Sequence, residues 1–309
     1  MHAFRAMNSN IVTLGLPARC RTKSESWFAF VERNLSRFLP QSELSSLNAA
    51  NGNPFVASAL LYQVVEEADR YYRTTEGLFN PYLGARLERL GYSESFECLG
   101  EAKRSEPLLG AGLEGTPCLL DPAMKSIRLR PGASVDLGGI AKGWSAHQLS
   151  LMLQREDLPA GAISAGGDIA FWGTPDEGWE VGIGNPNGEG PDLLTLRLQG
   201  TMGVATSSAM KRRWADDSGQ WHHHLLDPRS GTSSSSDLVQ VTLLAPHPVE
   251  AEVFAKCVLI LGSEAGTRWL EARHPECAAI GMTRNGSLIH CGNLARYRWK
   301  GAGSHERIS

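Results

Sequence analysis

The 309-residue chain is 42% hydrophobic, 20% charged and 7% aromatic, which excludes a disordered, collagen-like or coiled-coil protein and leaves ample apolar side chain for a core. Thirty Lys and Arg against 33 Asp and Glu give a formal net charge of -3 with no long basic run, so nucleic acid is not expected as a partner. Glycine is in excess, 33 residues or about 11% against a usual ~7%, and implies many tight turns and close backbone approaches.

Residues 1–20 alternate weakly and read as a strand pair. Their apolar part, Ile11 to Leu16, is shorter than the ~7 to 15 residues of an export-signal core, and Arg19 stands before Cys20 where a small residue is needed. A cytoplasmic location is expected. Ser24 to Ser36 carries Trp27, Phe28, Phe30, Val31 and Leu35 at helical spacing, and Ser42 to Ala50 reads as a short helix capped by Ser42, with a break at Pro40. Val56 to Thr74 is the strongest amphipathic helix of the first half, with Leu60, Leu61, Val64, Val65 and Ala68 on one stripe, ending before Gly77. Residues 91–117 are polar and Gly-rich and are expected to form a surface insertion, and 301–309 a disordered tail.

A strand is expected at Ser126 to Arg130, a Gly-rich turn at Asp136 to Trp144 and a helix from Trp144 to Gln154. Strand signals follow at Gly161 to Ala165, Trp179 to Ile183, Leu193 to Leu198, Gly203 to Ala205, His222 to Leu226 and Leu238 to Leu244. Pro248 to Leu261 and a stretch from Gly262 through Ala272 read as helices, followed by strands at Cys277 to Thr283 and Gly286 to His290. No stretch approaches the ~18 apolar residues of a membrane span. Six scattered Cys without a CxxC pair read as reduced thiols rather than a zinc site or a disulfide framework. The mixture, without internal repeats or a composition break, indicates a single α+β domain over residues 1–309.

Several segments could carry chemistry. DLGGIAKGW, Asp136 to Trp144, suits phosphate binding: its glycines allow close backbone approach, amides at a helix start face an anion and Lys142 adds a point charge. It is not a Walker loop. SAGGDIAFWG, Ser164 to Gly173, could cradle the same ligand from a second side, or be an ordinary hairpin turn. Neither run has the GxGxxG spacing of a Rossmann site. In WHHHLLDPRSG, Trp221 to Gly231, strand alternation puts His222 and His224 on one face and His223 on the other, so the three are not ligands of one metal. One histidine acting as general base near Asp227 is more economical, the alternative being an edge strand ending in an Asp-Pro turn. The serine-rich stretch after Gly231 reads as a mobile loop. Glu252 and Lys256, four apart on a helix, would form a surface ion pair worth ~0.3 to 0.5 kcal/mol.

Taken in order, FRAMNSNIV, SRFLPQSELSSLN, TEGLFNPYLG, DLGGIAKGW, SAGGDIAFWG, VATSSAMKRRW and HHHLLDPRSG resemble the ApbE family of FAD:protein FMN transferases over nearly the whole chain. The resemblance implies a single, T-fold-related α+β domain with mixed or antiparallel sheets and flanking helices. It implies an enzyme that binds FAD, cleaves its pyrophosphate, attaches FMN to a Thr or Ser of an acceptor protein and releases AMP. By position, Met7, Phe38, Leu78, Phe79, Asn80, Asp136, Lys142 and Thr206 would contact FAD, as would backbone around Leu225, and His224 would help deprotonate the acceptor hydroxyl.

The chain departs from the family at Asn80, where Asp is usual, and at Ser208, in place of a Gly after Thr206 and Ser207. The largest departure concerns Mg²⁺, which the family holds with a backbone carbonyl matching Gly139 and with an Asp and a Thr four residues apart. Those two positions are Glu252 and Lys256. Thr donates an oxygen to Mg²⁺, whereas Lys offers an ammonium that repels it, so Lys256 stands either for a replaced cation or for altered activity. A non-transferring FAD-binding protein and a metal-assisted FAD pyrophosphatase are the alternatives.

Overall fold

The computed structural model describes residues 1–94, 116–186, 188, 190–216 and 219–298; most of the expected insertion at 91–117 and the whole tail at 301–309 lie outside the described residues. Its central element is an eight-stranded sheet in the order His2–Ala6, Ser9–Leu14, Gly161–Ala165, Asp168–Trp172, Met202–Ser208, Leu238–Ala245, Ala278–Thr283 and Leu288–Gly292. Every neighbouring pair is antiparallel. Leu238–Ala245 reads LVQVTLLA, an almost unbroken apolar run, and is buried at each residue because both faces of the sheet are covered there.

Helices Ala141–Gln154 and Pro248–Leu261 cover one face, and Cys20–Leu35 packs beside the first of them and against strand His2–Ala6. The other face holds Phe171, Met202, Val204 and Leu244 against the hairpin formed by Trp179–Ile183 and Leu194–Leu198. Pro248–Leu261 is apolar nearly all round, which belongs to a helix inside the core rather than on its surface. It lies so close to the sheet that a Cβ on Gly203 would sit 2.3 Å from Pro248 Cα. Gly203→Ala must push helix and strand apart, and a loss of about 1–3 kcal/mol in urea unfolding is expected; an unchanged midpoint would contradict this packing.

The structure departs from the sequence expectations in several places. The first-half helix is Ala59–Thr74 rather than Val56 to Thr74, because Ser58 caps it by accepting from Leu61 N–H at 3.2 Å while Val56 pairs with Ser126 as a short strand. The helix expected from Trp144 begins at Ala141, so Lys142 sits in its first turn. Asp168–Trp172 is a strand that the Gly-rich reading passed over: Gly166 and Gly167, at φ 66° and 98°, form the two-residue turn of a hairpin pairing Ala165 with Asp168. The strand expected at His222 to Leu226 is two short pieces, Trp221–His223 and Leu226–Asp227, interrupted at His224. The serine-rich stretch is not a free loop. Thr232–Ser233 pairs with Leu226–Asp227, Ser233 Oγ bonds both the N–H and the carbonyl of His223 at 2.8 Å, and Ser234 is buried. Cys20, Cys118, Cys257, Cys277 and Cys291 are buried free thiols, and no described helix is long and apolar enough to cross a membrane.

Candidate active site

A cleft opens where the first hairpin, the loop after Ala59–Thr74, the start of Ala141–Gln154 and the end of Pro248–Leu261 meet. Each wall has a local cause. Met7 and Asn8, both at φ 52°, form the two-residue turn of the hairpin that pairs Ala6 with Ser9, and this turn presents Met7 to the cleft. A methionine in the left-handed region is uncommon, and such outliers gather at binding sites. Leu78, Phe79 and Asn80 line the next wall. Asn80 Oδ1 accepts from Tyr82 N–H at 2.9 Å, so this amide closes its own turn. Phe38 forms a third wall, held from behind by the Arg37 guanidinium 4.2 Å from its ring centroid. Arg37 also donates to Asp136 and, at 2.8 Å, to the Tyr92 carbonyl. Asp136 in turn accepts from Gly138 N–H at 2.9 Å, which fixes the backbone of the Gly-rich run.

The cleft also carries charge. Lys142 Nζ lies 2.9 Å from Asp168 Oδ2 and 2.7 Å from Glu252 Oε1, and Lys256 Nζ lies 3.1 Å from the Glu252 carbonyl and 3.4 Å from Oε1. Glu252 Oε2 accepts from Gly143 N–H at 2.7 Å. Glu252 is fully buried, so the expected surface ion pair with Lys256 is instead part of an interior four-charge cluster. Burial pushes the Glu252 carboxyl up, but Lys142 and Lys256 outweigh it and hold the group down at about 2. Burial likewise works against the Lys142 ammonium, and Asp168 with Glu252 reverses it, raising its pKa above the ordinary lysine value. Lys256 is lowered, by burial first and by Lys142.

His224 also faces the cleft, and its Nδ1 is buried without a hydrogen-bond partner. Burial, then the charges of Arg212 and Lys256, push it well below the ordinary histidine range, so its ring is neutral. The other two histidines are structural: His222 Nε2 is 2.9 Å from Asp216 Oδ2, and His223 Nε2 donates to the Ser234 carbonyl at 3.0 Å.

Met7, Phe38, Leu78, Phe79, Asn80 and Asp136 therefore line one cleft with Gly139, Lys142, His224, Leu225 and Lys256. Three expected site residues are placed differently. Glu252 lies behind the lining, reached through the two lysines. Thr206 is off the cleft: strand alternation puts it on the same sheet face as Met202 and Val204, where its Oγ1 is 2.8 Å from Thr242 Oγ1. Asp227 does not touch His224. It takes a two-pronged contact from Arg229, at 2.9 and 2.7 Å, within the Asp-Pro turn. Arg37, Tyr92, Asp168 and Arg212 were missed. Asp168 directly follows a two-glycine turn, which could have flagged it, whereas Arg37 and Arg212 carry no local signature.

A model of the ApbE family matches residues 7–281. The chain belongs to the ApbE family. Among its ApbE relatives, an FAD:protein FMN transferase from Klebsiella pneumoniae (strain 342) is 28% identical over 257 residues, covering 81% of this chain and 77% of the relative. One from Treponema pallidum (strain Nichols) is 29% identical over 255 residues, covering 75% and 68%. The ApbE protein from Thermotoga maritima superposes with a TM-score of 0.82 at 20% identity, covering 97% of this chain and 99% of that one. The flavin transferase ApbE from Vibrio cholerae does so with a TM-score of 0.76 at 21% identity, covering 96% and 98%. At those identities the structural likeness establishes the fold, a single α+β domain.

The Mg²⁺ that an ApbE resemblance implies does not fit the residues present. It needs oxygen donors in near-octahedral array at ~2.0–2.1 Å. Both Glu252 carboxylate oxygens are already engaged, and the Lys256 side chain lies against Gly139, its Cε 3.3 Å from where a Cβ would be. Among the described residues no group of three His, Cys, Asp or Glu could hold a metal ion.

Proposed function

We infer that this chain is an FAD:protein FMN transferase, with a Thr or Ser hydroxyl of a separate acceptor protein as the flavin's destination. The observation that carries the reading is a single cleft whose lining brings aromatic and thioether side chains together with two lysines and a neutral histidine with an unpartnered ring nitrogen. That combination suits a flavin dinucleotide, whose rings need flat apolar contact and whose diphosphate needs cations. The names of the relatives support the same reading.

In the proposed reaction the acceptor oxygen bonds to the FMN phosphorus, the bridging P–O bond breaks, and its electron pair leaves on the phosphate of AMP. His224 takes the hydroxyl proton. Phosphoryl transfer of this kind depends chiefly on positioning and charge stabilisation, which Phe38, Asp136 and the Gly138–Gly139 backbone supply for binding and Lys256 for charge, with Lys142 and Glu252 holding it in place. Incubating the protein with FAD and a Thr-bearing acceptor tests this: the acceptor is expected to gain the mass of one FMN phosphoryl group, and no gain under any ionic condition would sink the reading. Release of AMP without acceptor would instead favour hydrolysis.

A further inference from the structure

The four clustered charges, the buried Asp168 and Glu252 and the partly buried Lys142 and Lys256, sum to zero, and that neutrality poses a chemical problem. On the transferase reading a diphosphate bearing two negative charges must settle beside them, and two carboxylates lie within the same cluster. Lys142 cannot meet the new charge, since Asp168, Glu252 and the Gly138 carbonyl, at 2.9, 2.7 and 3.4 Å, take its three N–H bonds. Lys256 is held more loosely. Both of its contacts, at 3.1 and 3.4 Å, are to the one residue Glu252, leaving an N–H free on the side that lines the cleft.

Arg212 is the second observation. It is half-buried, lines the same cleft and makes no hydrogen bond or ion pair among the described residues. Its backbone is in the left-handed region, at φ 51°, an unfavourable setting for a long side chain. A partly desolvated cation without an anion, on a strained residue, is what a site looks like when the ligand supplies the anion. Its planar fork of donors suits phosphate oxygens better than an ammonium does.

We propose that this cleft binds the FAD diphosphate and transfers FMN without a divalent cation, Lys256 and Arg212 together supplying the two positive charges. Lys256 occupies the position between Glu252 and Gly139, and Arg212 lines the same cleft near enough to His224 to depress its pKa. During transfer they offset the charge that collects on the departing AMP phosphate while His224 holds the acceptor's proton.

The test rests on binding as well as turnover, so that its failure and that of the transferase reading can be told apart. Titration calorimetry of the full chain with FAD, and with riboflavin, which has no phosphate, is run in EDTA and in magnesium chloride, alongside acceptor mass measurements. FAD affinity and transfer are expected to agree within about twofold between the two buffers, and Lys256→Met and Arg212→Ala each to weaken FAD about tenfold or more while leaving riboflavin unchanged. Riboflavin binding serves as the folding control, and Arg212→Ala lies outside the core should Lys256→Met fail it. Binding or transfer lost in EDTA and restored by magnesium overturns the proposal with the transferase reading intact, as does unchanged FAD affinity in Arg212→Ala. FAD binding that needs both residues and no magnesium, with no modified acceptor, upholds metal-free diphosphate recognition and sinks the transferase reading.

Discussion

His224→Gln is expected to slow acceptor modification by roughly 10²- to 10⁴-fold while FAD binds nearly as well as before. Among the described residues the imidazole Nδ1 has no hydrogen-bond partner, so the substitution removes a proton acceptor and little else. The pH profile gives an independent reading. Burial, Arg212 and Lys256 depress the His224 pKa well below the ordinary histidine value of 6.5, so the ring stays neutral through that pH. Wild-type transfer should therefore be level on going down through 6.5 and fall only at more acidic pH, and His224→Gln should lack that acidic limb. A limb centred at or above 6.5 would assign the base elsewhere. The sign for stability follows from the same shift: the unfolded chain binds the proton that the folded His224 refuses, so the stability it contributes is present above 6.5 and declines as pH falls below it.

Glu252→Gln should be the most destabilising single change in the cleft, by about 3–5 kcal/mol in chemical unfolding, because it leaves two buried ammonium groups with Asp168 as their one remaining carboxylate. If the loss comes from uncompensated charge, adding Lys256→Met to Glu252→Gln should recover most of it, whereas a purely steric loss would not be recovered. With a folded pKa of about 2 against 4.5, Glu252 contributes stability that is fully present above pH 4.5 and is lost as pH falls toward 2. Asp168 works in the opposite sense, since burial raises its pKa.

Much of the fold was legible because its main signals are local. The strand run at Leu238–Ala245, the apolar helix Pro248–Leu261 and the capped start at Ser42 each depend on neighbouring residues alone. Two glycines at Gly166–Gly167 allow either a ligand cradle or a hairpin turn, and only the pairing of Ala165 with Asp168 decides between them. Thr206 was misplaced for a related reason: one step along a strand reverses the face, and the register against Thr242 is a long-range fact. The spacing of Glu252 and Lys256 showed that they share a helix face, but their burial depends on Gly143 letting two helices touch, with Glu252 Oε2 2.9 Å from where a Cβ would be. Arg37 and Arg212 reach the site from two distant parts of the chain, and nothing in their own neighbourhoods announces it.

The fate of the FAD diphosphate is the most direct test of a transferase in this cleft. Phosphorus NMR of FAD, the protein and a Thr-bearing acceptor should show the diphosphate signals giving way to two products in equal amounts, the phosphomonoester of AMP and a phosphodiester carried by the acceptor. Two phosphomonoesters, AMP and free FMN, would mark a hydrolase, and an unchanged diphosphate a binding protein; either result would contradict the assignment.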